Sequence, residues 1–485
     1  MKDKIQKLLI ANRGASAVRI IHTCRDRKID AISVFSSADR MAHHVFMSEH
    51  AIHIGEPPPV ESYLNMENII SAAKKANADA IHPGWGFLAE NHEFAQLVVD
   101  SGFIWVGPSP KVIELMGNKA DAKKIANEAN VPTVPGINNV DSTKDVRKWM
   151  EKSKVKFPIL IKAAAGGGGK GMERVDRIED LDLAFEKVKS EGAKSFGNDT
   201  VITEKYIKNG KHIEVQIVAD QDCNIVHLFD RECTIQRRNQ KLIEEAPSSA
   251  LDDNLREKLF ATAIRLMRKI GYSSAGTVEF LFDQDTKEFY FLEVNTRLQV
   301  EHGITELITG RDIVGIMLDV AEGKRLPFKQ PDIKLNRCAM EVRINAEDPK
   351  TFNPSFGTIT RLKFPQGPNV RVISGVYEGA DIPPYYDSLL SLLMTAGQDR
   401  LGAIKAMEHA LGKSIRIEGI KTIAPLLLSI IKHKLFLSGR FTTDFIEDNL
   451  TDLISSIKVT SSEDEVLKIA RYLAERSSLG PAMKM

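Results

Sequence analysis

Short apolar runs alternate with helical stretches along the first 115 residues, and this pattern constrains the fold more than any other feature of the chain. The runs "KLLIAN", "DAISVFS", "DAIHPG" and "IWVG" are separated by helical periods such as "NMENIISAAKKAN". Such alternation is typical of βαβ units and predicts a parallel sheet covered by helices. A dinucleotide-binding fold is the obvious rival. However, the first turn reads "ANRGASA" and lacks the G-x-G-x-x-G fingerprint, which argues against an NAD site.

Charge and cysteine content narrow the class of protein. Lys and Arg number 66 and Asp and Glu 65, so no global field favours nucleic acid or an acidic membrane, and anion binding requires a local cluster. The four cysteines form no C-x-x-C pair, which suggests reduced thiols and no zinc knuckle. The start lacks a secretion signal, and the longest apolar run, "IAPLLLSII", is too short to span a bilayer. We therefore expect a soluble cytoplasmic protein.

A glycine-rich segment follows an apolar strand in "FPILIKAAAGGGGKGM" (157–172). Lys162 lies near the end of the strand, and Gly166 to Gly169 form a turn whose backbone N–H groups are able to approach phosphates. A plain flexible linker is the alternative. The segment is not a Walker A loop, because Lys170 is followed by Gly171 instead of Ser or Thr.

The segment "GTVEFLFDQDTKEFYFLEVN" (276–295) predicts a hairpin. If Asp283 pairs with Phe289, Glu279 lies opposite Glu293, and like charges at such positions are destabilising. A divalent cation between the two carboxylates removes the repulsion, and Mg²⁺ binds through one or two carboxylates together with substrate phosphates. An exposed pair of glutamates is the alternative.

The segment "EVNTRLQVEH" places polar residues at alternate positions, and alternate side chains of an extended chain share a face. These residues are Glu293, Asn295, Arg297, Gln299 and Glu301. A solvated strand face is the alternative to a site. On this face Arg297 is a planar donor suited to a carboxylate or bicarbonate, and Glu301 is a free carboxylate able to act as a base.

Basic residues that could hold an anion occur elsewhere. The segment "DRECTIQRRNQK" brings together Arg237, Arg238 and Lys241, and "MEVRINAEDP" supplies Arg343. A basic surface run is the alternative. Next to a metal and phosphate site, a bound anion is the better interpretation.

Together these motifs resemble the biotin carboxylase family of ATP-grasp enzymes. The resemblance rests on stretches in family order from about residue 5 to 450, including "IHPGWGFLAEN", "IKAAAGGGGKGM", "CTIQRRNQK", "EVNTRLQVEH", "RINAEDP" and "PPYYDS". It implies an α/β fold with an N-terminal, Rossmann-like pre-ATP-grasp domain, an ATP-grasp domain with a mobile lid, and a C-terminal biotin carboxylase domain. The implied ranges are 1–118, 119–325 with the lid at about 133–205, and 335–450, followed by a helical tail at 451–485.

The resemblance also implies roles for individual residues. The nucleotide site would comprise Lys119, Lys162, Gly168, Gly169, Glu204, Lys205, Ile207, His212, Gln236, Asn239, Glu279 and Glu293. Mg²⁺ or Mn²⁺ would be held by Glu279, Glu293 and Asn295. Bicarbonate and biotin would meet Lys241, Arg297, Gln299, the backbone of Val300 and Arg343. Glu301 would be the base for bicarbonate, and Arg343 would stabilise the biotin enolate.

The implied activity is carboxylation of biotin on a biotin carboxyl carrier protein, with ATP and bicarbonate and through carboxyphosphate. This is the first half-reaction of an acetyl-CoA or other acyl-CoA carboxylase, and it implies a homodimer that works with carboxyltransferase subunits. The ATP-grasp subunit of a two-chain pyruvate carboxylase is an alternative in the same chemistry. A non-catalytic assembly paralogue is an alternative of another class. Neither nucleic acid nor a membrane is an expected partner.

Several residues depart from the family pattern: Ala15, Ser16, Asn239, Gly303 and Leu392 stand where Glu, Ile, His, Pro and Lys are usual or common. None of these changes removes a proposed catalytic side chain. In the tail, Ser462 and Glu465 predict the capping box of an amphipathic helix. The final "PAMKM" echoes a biotin-attachment sequence around Lys484, but without a surrounding acceptor domain we expect biotin ligase to leave this lysine unmodified.

Overall fold

A computed structural model describes residues 4–164 and 171–457. The Gly166–Gly169 turn, with its predicted phosphate contacts at Gly168 and Gly169, lies outside the described residues. The same holds for the predicted tail helix and for Lys484.

The N-terminal part is the predicted α/β unit. Its five strands are all parallel, in the order β3-β2-β1-β4-β5, and helices connect them. Strands β1, β2 and β4 are largely buried, as expected for the centre of a parallel sheet covered on both faces, whereas the edge strand β3 is mostly exposed. The elements are β1 (Lys7–Ile10), α1 (Gly14–Arg27), β2 (Asp30–Ser36), α2 (His43–Met47), β3 (His50–Gly55), α3 (Met66–Ala76), β4 (Ala80–His82), α4 (His92–Asp100), β5 (Ile104–Trp105) and α5 (Pro110–Gly117).

A small four-stranded sheet follows in the order β6-β9-β7-β8, with helices packed against it. It has its own apolar core, formed around Val146, Phe185 and Val188. The elements are α6 (Lys119–Glu128), β6 (Gly136–Val140), α7 (Thr143–Ser153), β7 (Ile159–Ala163), β8 (Met172–Val175), α8 (Leu181–Phe196) and β9 (Val201–Lys205).

A large sheet of eight strands dominates the rest of the described chain. Its first five strands have the spatial order β14-β13-β10-β11-β12 and pair in antiparallel fashion. The elements are β10 (Gly210–Ala219), β11 (Ile225–Arg237), β12 (Gln240–Ala246), α9 (Asp253–Lys269), β13 (Ser274–Asp283), β14 (Glu288–Asn295), α10 (His302–Thr309) and α11 (Ile313–Ala321).

Three strands from the C-terminal part complete this sheet in the order β15-β20-β18, with β15 paired to β12. The sheet therefore continues across the boundary that the resemblance implies between 325 and 335, and the domain ranges remain a prediction. The elements are β15 (Cys338–Asn345), β16 (Gly357–Thr358), β17 (Arg361–Lys363), β18 (Val370–Ser374), β19 (Asp381–Ile382), β20 (Leu389–Gly397), α12 (Arg400–His409), β21 (Arg416–Glu418), α13 (Ala424–Lys432), α14 (Lys434–Leu437) and α15 (Phe445–Ser455).

The predicted hairpin forms, but its register at the turn differs from the prediction. Asp283 pairs with Glu288 instead of Phe289. A β-bulge then adds Leu292 to β14, so that Glu279 still lies directly opposite Glu293. The predicted pairing of the two glutamates is therefore confirmed, through a bulge that the alternation of residues does not predict.

One apolar core joins the N-terminal sheet to the large sheet. It includes Ile20 and Ile21 of α1, Ile304 of α10 and Met394 of β20, all buried. This packing holds α1 against β18 and β20, which belong to the same sheet as the strands that carry the polar cluster described below. No helix in the described part of the chain is long and apolar enough to cross a bilayer.

Candidate active site

Lys241 on β12 is the centre of the densest polar cluster. Its Nζ lies 2.6 Å from Glu214 Oε2, 2.8 Å from Glu279 Oε1 and 2.7 Å from Glu301 Oε1. Strands β10 and β13 carry the first two glutamates, and the third ends the turn before α10. The sheet thus directs three carboxylates at one ammonium group.

These charges control one another. Burial alone would raise the pKa of Glu301, but Lys241 and Arg343 outweigh it and hold that pKa well below its usual range. Burial alone would lower the pKa of Lys241, but the surrounding anionic groups raise it well above its usual range. The pKa of Glu279 is also held well below its usual range against burial, chiefly by Lys241 and His212. Glu301, Glu279 and Lys241 are therefore charged at neutral pH.

Arg343 on β15 closes the other side of Glu301. Its Nη2 donates to Glu301 Oε2 at 3.0 Å, and its Nε donates to Glu244 Oε1 at 2.7 Å. Glu301, which has no exposed surface, therefore bridges Lys241 and Arg343 with its two oxygens. Two cations are held in fixed positions around one carboxylate, as in a site prepared for an anion.

Arg297 is held by partners on both sides. Its Nε donates to Glu90 Oε2 at 2.8 Å, and its Nη2 donates to Asn295 Oδ1 at 3.0 Å. Its Nη1 donates to Gln299 Oε1 at 3.2 Å. The amide groups of Asn295 and Gln299 in turn donate to Glu279 Oε1, at 2.8 Å and 3.2 Å. Arg297 and Glu279 are thus joined through two amide side chains.

Glu279 and Glu293 are suited to a divalent cation. They are directly opposed on β13 and β14, and burial together with the charge of Glu279 raises the pKa of Glu293. Among the described residues, no side chain donates a hydrogen bond to Glu293, so this carboxylate faces a like charge without a donor of its own. Hard carboxylate oxygens fit Mg²⁺ or Mn²⁺. The oxygen of Asn295, the third predicted ligand, accepts from Arg297 in this structure.

His212 and Gln236 extend the cluster toward β11. Gln236 Nε2 lies 2.9 Å from His212 Nδ1, and His212 Nε2 lies 2.9 Å from Glu279 Oε2. Asn239 lies nearby on the exposed turn between β11 and β12. Arg238 and Asn239 have φ values of 49° and 61°, as a two-residue type I′ turn requires, and asparagine adopts such angles readily. The Asn239 departure therefore suits the hairpin.

Lys162, one of the predicted nucleotide lysines, lies at Glu204 on β9, together with Lys123, which was not predicted. Lys162 Nζ lies 2.5 Å from Glu204 Oε2, and Lys123 donates to the other oxygen of the same buried carboxylate. Burial, with Lys123 and Lys119 nearby, lowers the pKa of Lys162 to about 7, whereas so short a contact with Glu204 favours the charged form. We assign the charged form because the close carboxylate stabilises it directly. Of the remaining predicted nucleotide residues, Lys205 ends β9 and Ile207 is buried against Val134 and Tyr290.

The structure brings together the polar residues of 293–301 by a route that differs from the prediction. A continuous strand was expected, but β14 ends at Asn295 and an irregular segment leads to α10. Gln299 and Glu301 nevertheless reach the same cluster as Asn295. Val300, whose backbone was predicted to contact bicarbonate, lies in this segment.

Sequence reasoning missed several residues of the cluster: Glu90, Lys123, Glu214, Arg231 and Glu244. A signal existed for one of them, because His212, Glu214 and Gln216 alternate along β10 and so share a face. Glu214 is buried, and burial raises its pKa although Arg231 and Lys241 partly offset the effect. Glu90 reaches the site from a distant segment. Lys123, Arg231 and Glu244 lie on the same elements as predicted residues, but no local pattern distinguishes them from other charged residues of those elements.

A cavity of about 480 Å³ lies beside the N-terminal sheet and holds two of the departures from the family pattern. Ala15 and Ser16 line it together with Trp85 and Tyr386. Arg13 also lines it, bound to Asp39 through two hydrogen bonds of 2.6 Å and 2.9 Å. None of the three carboxylates bound to Lys241 lines this cavity, which is therefore distinct from the polar cluster.

The cluster lies where two sheets face each other. Lys162 of the small sheet is close enough to Glu293 of the large sheet for their charges to interact. This arrangement is that of the ATP-grasp ligases. The description "Carbamoyl-phosphate synthase L chain, ATP binding domain" matches residues 118–329.

Two further family descriptions flank that match: "Biotin carboxylase, N-terminal domain" matches residues 4–113, and "Biotin carboxylase C-terminal domain" matches residues 341–448. The chain is 48% identical to biotin carboxylase 2 of Bacillus subtilis over 92% of this chain and 99% of that one. It is 44% identical to the small subunit of the 2-oxoglutarate carboxylase from Hydrogenobacter thermophilus over 92% of this chain and 93% of that one. The chain therefore belongs to the biotin carboxylase family.

A solved structure agrees with this assignment. The biotin carboxylase domain dimer of the Hydrogenobacter thermophilus 2-oxoglutarate carboxylase, in complex with MgADP, ADP and bicarbonate, superposes with a TM-score of 0.88. It is 43% identical in sequence, and the match covers 93% of this chain and 99% of that chain.

Proposed function

We propose that this chain carboxylates biotin on a biotin carboxyl carrier protein, using ATP and bicarbonate. The observation that carries the proposal is the pair of cations, Lys241 and Arg343, fixed on the two oxygens of buried Glu301. This anion pocket adjoins the opposed carboxylates Glu279 and Glu293. The solved relative that contains MgADP and bicarbonate supports the same ligands for this site.

The first half of the reaction joins bicarbonate to the γ-phosphate of ATP and yields carboxyphosphate and ADP. Mg²⁺ or Mn²⁺, held by Glu279, Glu293 and Asn295, would neutralise negative charge on the phosphates. Lys119 and Lys162 would bind the phosphates, and His212 and Gln236 would lie at the nucleotide beside Glu279. Lys241, Arg297, Gln299 and the backbone of Val300 would hold bicarbonate in line with the phosphate.

Glu301 would take the proton of bicarbonate. In this structure its basicity is suppressed, because Lys241 and Arg343 share its charge. An incoming anion competes for the same two cations. As they turn toward bicarbonate, Glu301 loses their stabilisation and its pKa rises, so the base is activated by the substrate that it deprotonates.

In the second half, carboxyphosphate releases CO₂ and the freed phosphate takes the ureido proton of biotin. The resulting enolate captures CO₂. Arg343, already oriented by Glu244 and Glu301, would supply fixed positive charge where the enolate oxygen develops. Both halves would then use the same pocket in succession.

The acceptor that finally receives CO₂ would bind to another subunit. We favour an acyl-CoA carboxylase, with acetyl-CoA as acceptor, and a homodimer that works with carboxyltransferase subunits. Pyruvate and 2-oxoglutarate are alternative acceptors, because two relatives are named as subunits of the carboxylases that act on them. A non-catalytic assembly role is disfavoured, because Lys241, Glu301 and Arg343 are present and in contact. Identification of the biotinylated protein that co-purifies with this chain decides the acceptor.

The activity itself is tested with the purified protein, MgATP, bicarbonate and free biotin. We expect ADP release that depends on bicarbonate and carboxybiotin that depends on both substrates. A folded protein that binds MgADP but forms no carboxybiotin, with either free biotin or a biotinylated carrier, would contradict the proposal.

The proposed lid, residues 133–205, spans the small sheet of β6 to β9, and the charge of Lys162 on β7 gives a separate prediction. Lys162→Met is expected to weaken MgADP binding by about ten- to a hundredfold, because a hydrogen bond to a charged group contributes roughly 1.5–3 kcal/mol. Isothermal titration calorimetry measures the change. The matched control is Lys187→Met, since Lys187 lies in α8 behind the same sheet and pairs with Glu173 at the surface. Equal affinity of the two variants would remove Lys162 from the nucleotide site.

A further inference from the structure

Two buried glutamates oppose each other behind Arg343. Glu244 of β12 and Glu341 of β15 are directly paired across the strands, and neither has exposed surface. Both oxygens of Glu341 and one oxygen of Glu244 have no hydrogen-bond partner among residues 4–164 and 171–457. Two ionised carboxylates in this position would repel each other and lack donors for three oxygens. The pair is therefore not doubly ionised.

The groups that face Glu341 give it little compensation. Glu244 faces it from β12, Arg343 from β15, Arg231 from β11 and Glu301 from the turn before α10. Burial, and secondly the negative charge of Glu244, raise the pKa of Glu341 well above its usual range, and Arg343 offsets this effect only in part. Burial raises the pKa of Glu244 to about 7, although Arg343 is bound to it. Because Glu244 has the arginine and Glu341 has no donor, Glu341 is the member that holds a proton.

Apolar side chains and a glycine complete the surroundings of Glu341. Met394 of β20 is paired with Glu341 and Leu392 with Arg343, so all four side chains lie on the same face of the sheet. Leu392 is buried and uncharged, so the side chain opposite Arg343 supplies no cation to Glu341. A Cβ atom on Gly303 would meet Met394 Sδ at 2.4 Å and Glu341 Oε2 at 3.4 Å. Gly303 therefore leaves the space that Met394 fills against the carboxyl group.

We propose that the pair formed by Glu244 and Glu341 binds one proton, which Glu341 holds. The neutral Glu341 then positions Arg343 for the carboxylation step. The inference rests on the proposed role of Arg343 toward the biotin enolate. With one proton on the pair, Arg343 faces two anions, Glu244 and Glu301, in a fixed geometry. Loss of that proton adds a third anion next to Arg343. The added charge draws the guanidinium toward β15 and weakens the positive potential available to the enolate.

The sign of the pH dependence follows. The proton is bound on the acidic side, so the ratio of carboxybiotin formed to ATP cleaved is expected to be high there and to fall as the pH rises above neutral. Glu341→Gln keeps a neutral group of the same size and cannot ionise, so its ratio should hold up on the alkaline side. We expect at least a threefold higher ratio for Glu341→Gln than for wild type at the alkaline end of the profile. An alkaline decline as steep as that of wild type would overturn the inference.

Thermal melts test the shared proton without any activity. A carboxyl group whose folded pKa is raised costs stability increasingly as the pH rises above its unfolded value. The difference in Tm between Glu341→Gln and wild type should therefore become more positive from pH 6 to pH 9. A difference independent of pH would overturn the inference. If the melting temperatures change with pH as expected but no carboxybiotin forms at any pH, the proposed function is wrong. The assignment of one proton to the Glu244 and Glu341 pair would still stand.

A double-mutant cycle with Leu392 completes the test. Leu392→Lys places a cation opposite Arg343, on the face of the sheet that holds Glu341. Glu341 is then expected to ionise and to form an ion pair with the new lysine. The lysine should be tolerated in the presence of Glu341. In the Glu341→Gln background the buried cation has no free anion, and an additional loss on the order of 5–10 °C in Tm is expected. Equal losses in the two backgrounds would show that Glu341 is not the available acid.

Discussion

Glu293→Gln is expected to lower metal-dependent ATP cleavage by at least about a hundredfold, because even residues that only support metal ligands typically contribute 10- to 100-fold. In the same variant the metal-free protein should be no less stable than wild type. Glu293 lies opposite Glu279 and, among the residues with described positions, has no donor of its own, so the substitution removes a like-charge repulsion. Steady-state ADP release and melting in the presence of a chelator measure the two effects.

The companion variant separates metal binding from structural support. Glu279→Gln should lose the same activity but melt at a lower temperature, because Glu279 also binds Lys241 and accepts from Asn295 and Gln299. Glu288→Gln, on the same strand as Glu293 but exposed, is the matched control: it also removes a like-charge pair, with Asp283, but should leave ATP cleavage unchanged. Near-normal ATP cleavage by folded Glu293→Gln would mean that the opposed carboxylates do not hold the metal.

The hairpin shows what a sequence predicts and where it stops. The positions of the two strands follow from alternation and from the turn residues. The paired residues near the turn do not, because nothing in the alternation marks the bulge at Leu292. Two errors of one residue, in the turn and in the bulge, cancel at the glutamates. The predicted opposition of the two glutamates is therefore correct although the predicted pairing at the turn is not.

The parallel sheet of the first 115 residues was predicted correctly because its strands and helices are local patterns with distinct periods. The polar cluster around Lys241 was predicted only in part. Glu301 and Glu279 belong to motifs with visible chemistry, whereas Glu244 and Glu90 reach the site only through sheet order and loop contact. Strand order in an antiparallel sheet joins residues about a hundred positions apart, as with Arg343 and Glu244. No periodicity within one segment records such a contact.

Arg343→Ala is expected to uncouple the two halves of the reaction. Arg343 is proposed to stabilise charge that appears only after biotin loses its proton, and one preorganised donor of this kind typically contributes on the order of 10²–10³ in rate. Carboxybiotin formation should fall by about that factor. Bicarbonate-dependent ATP cleavage should fall less, since Lys241 and Arg297 still hold bicarbonate. The ratio of carboxybiotin formed to ATP cleaved, measured on the same samples, should drop at least about tenfold.

Two comparisons make the ratio decisive. Glu301→Gln removes the base that is needed before carboxyphosphate exists, so ATP cleavage and carboxylation should fall together and leave the ratio near that of wild type. Arg400→Ala is the matched control for stability, because Arg400 pairs with buried Glu245 on the same strand as Glu244 but on its opposite face. Its loss should destabilise the protein without changing the ratio. If Arg343→Ala and Arg400→Ala gave the same ratio, Arg343 would act only as the ionic partner of buried glutamates, and the charge that stabilises the enolate would have to come from another group in the pocket.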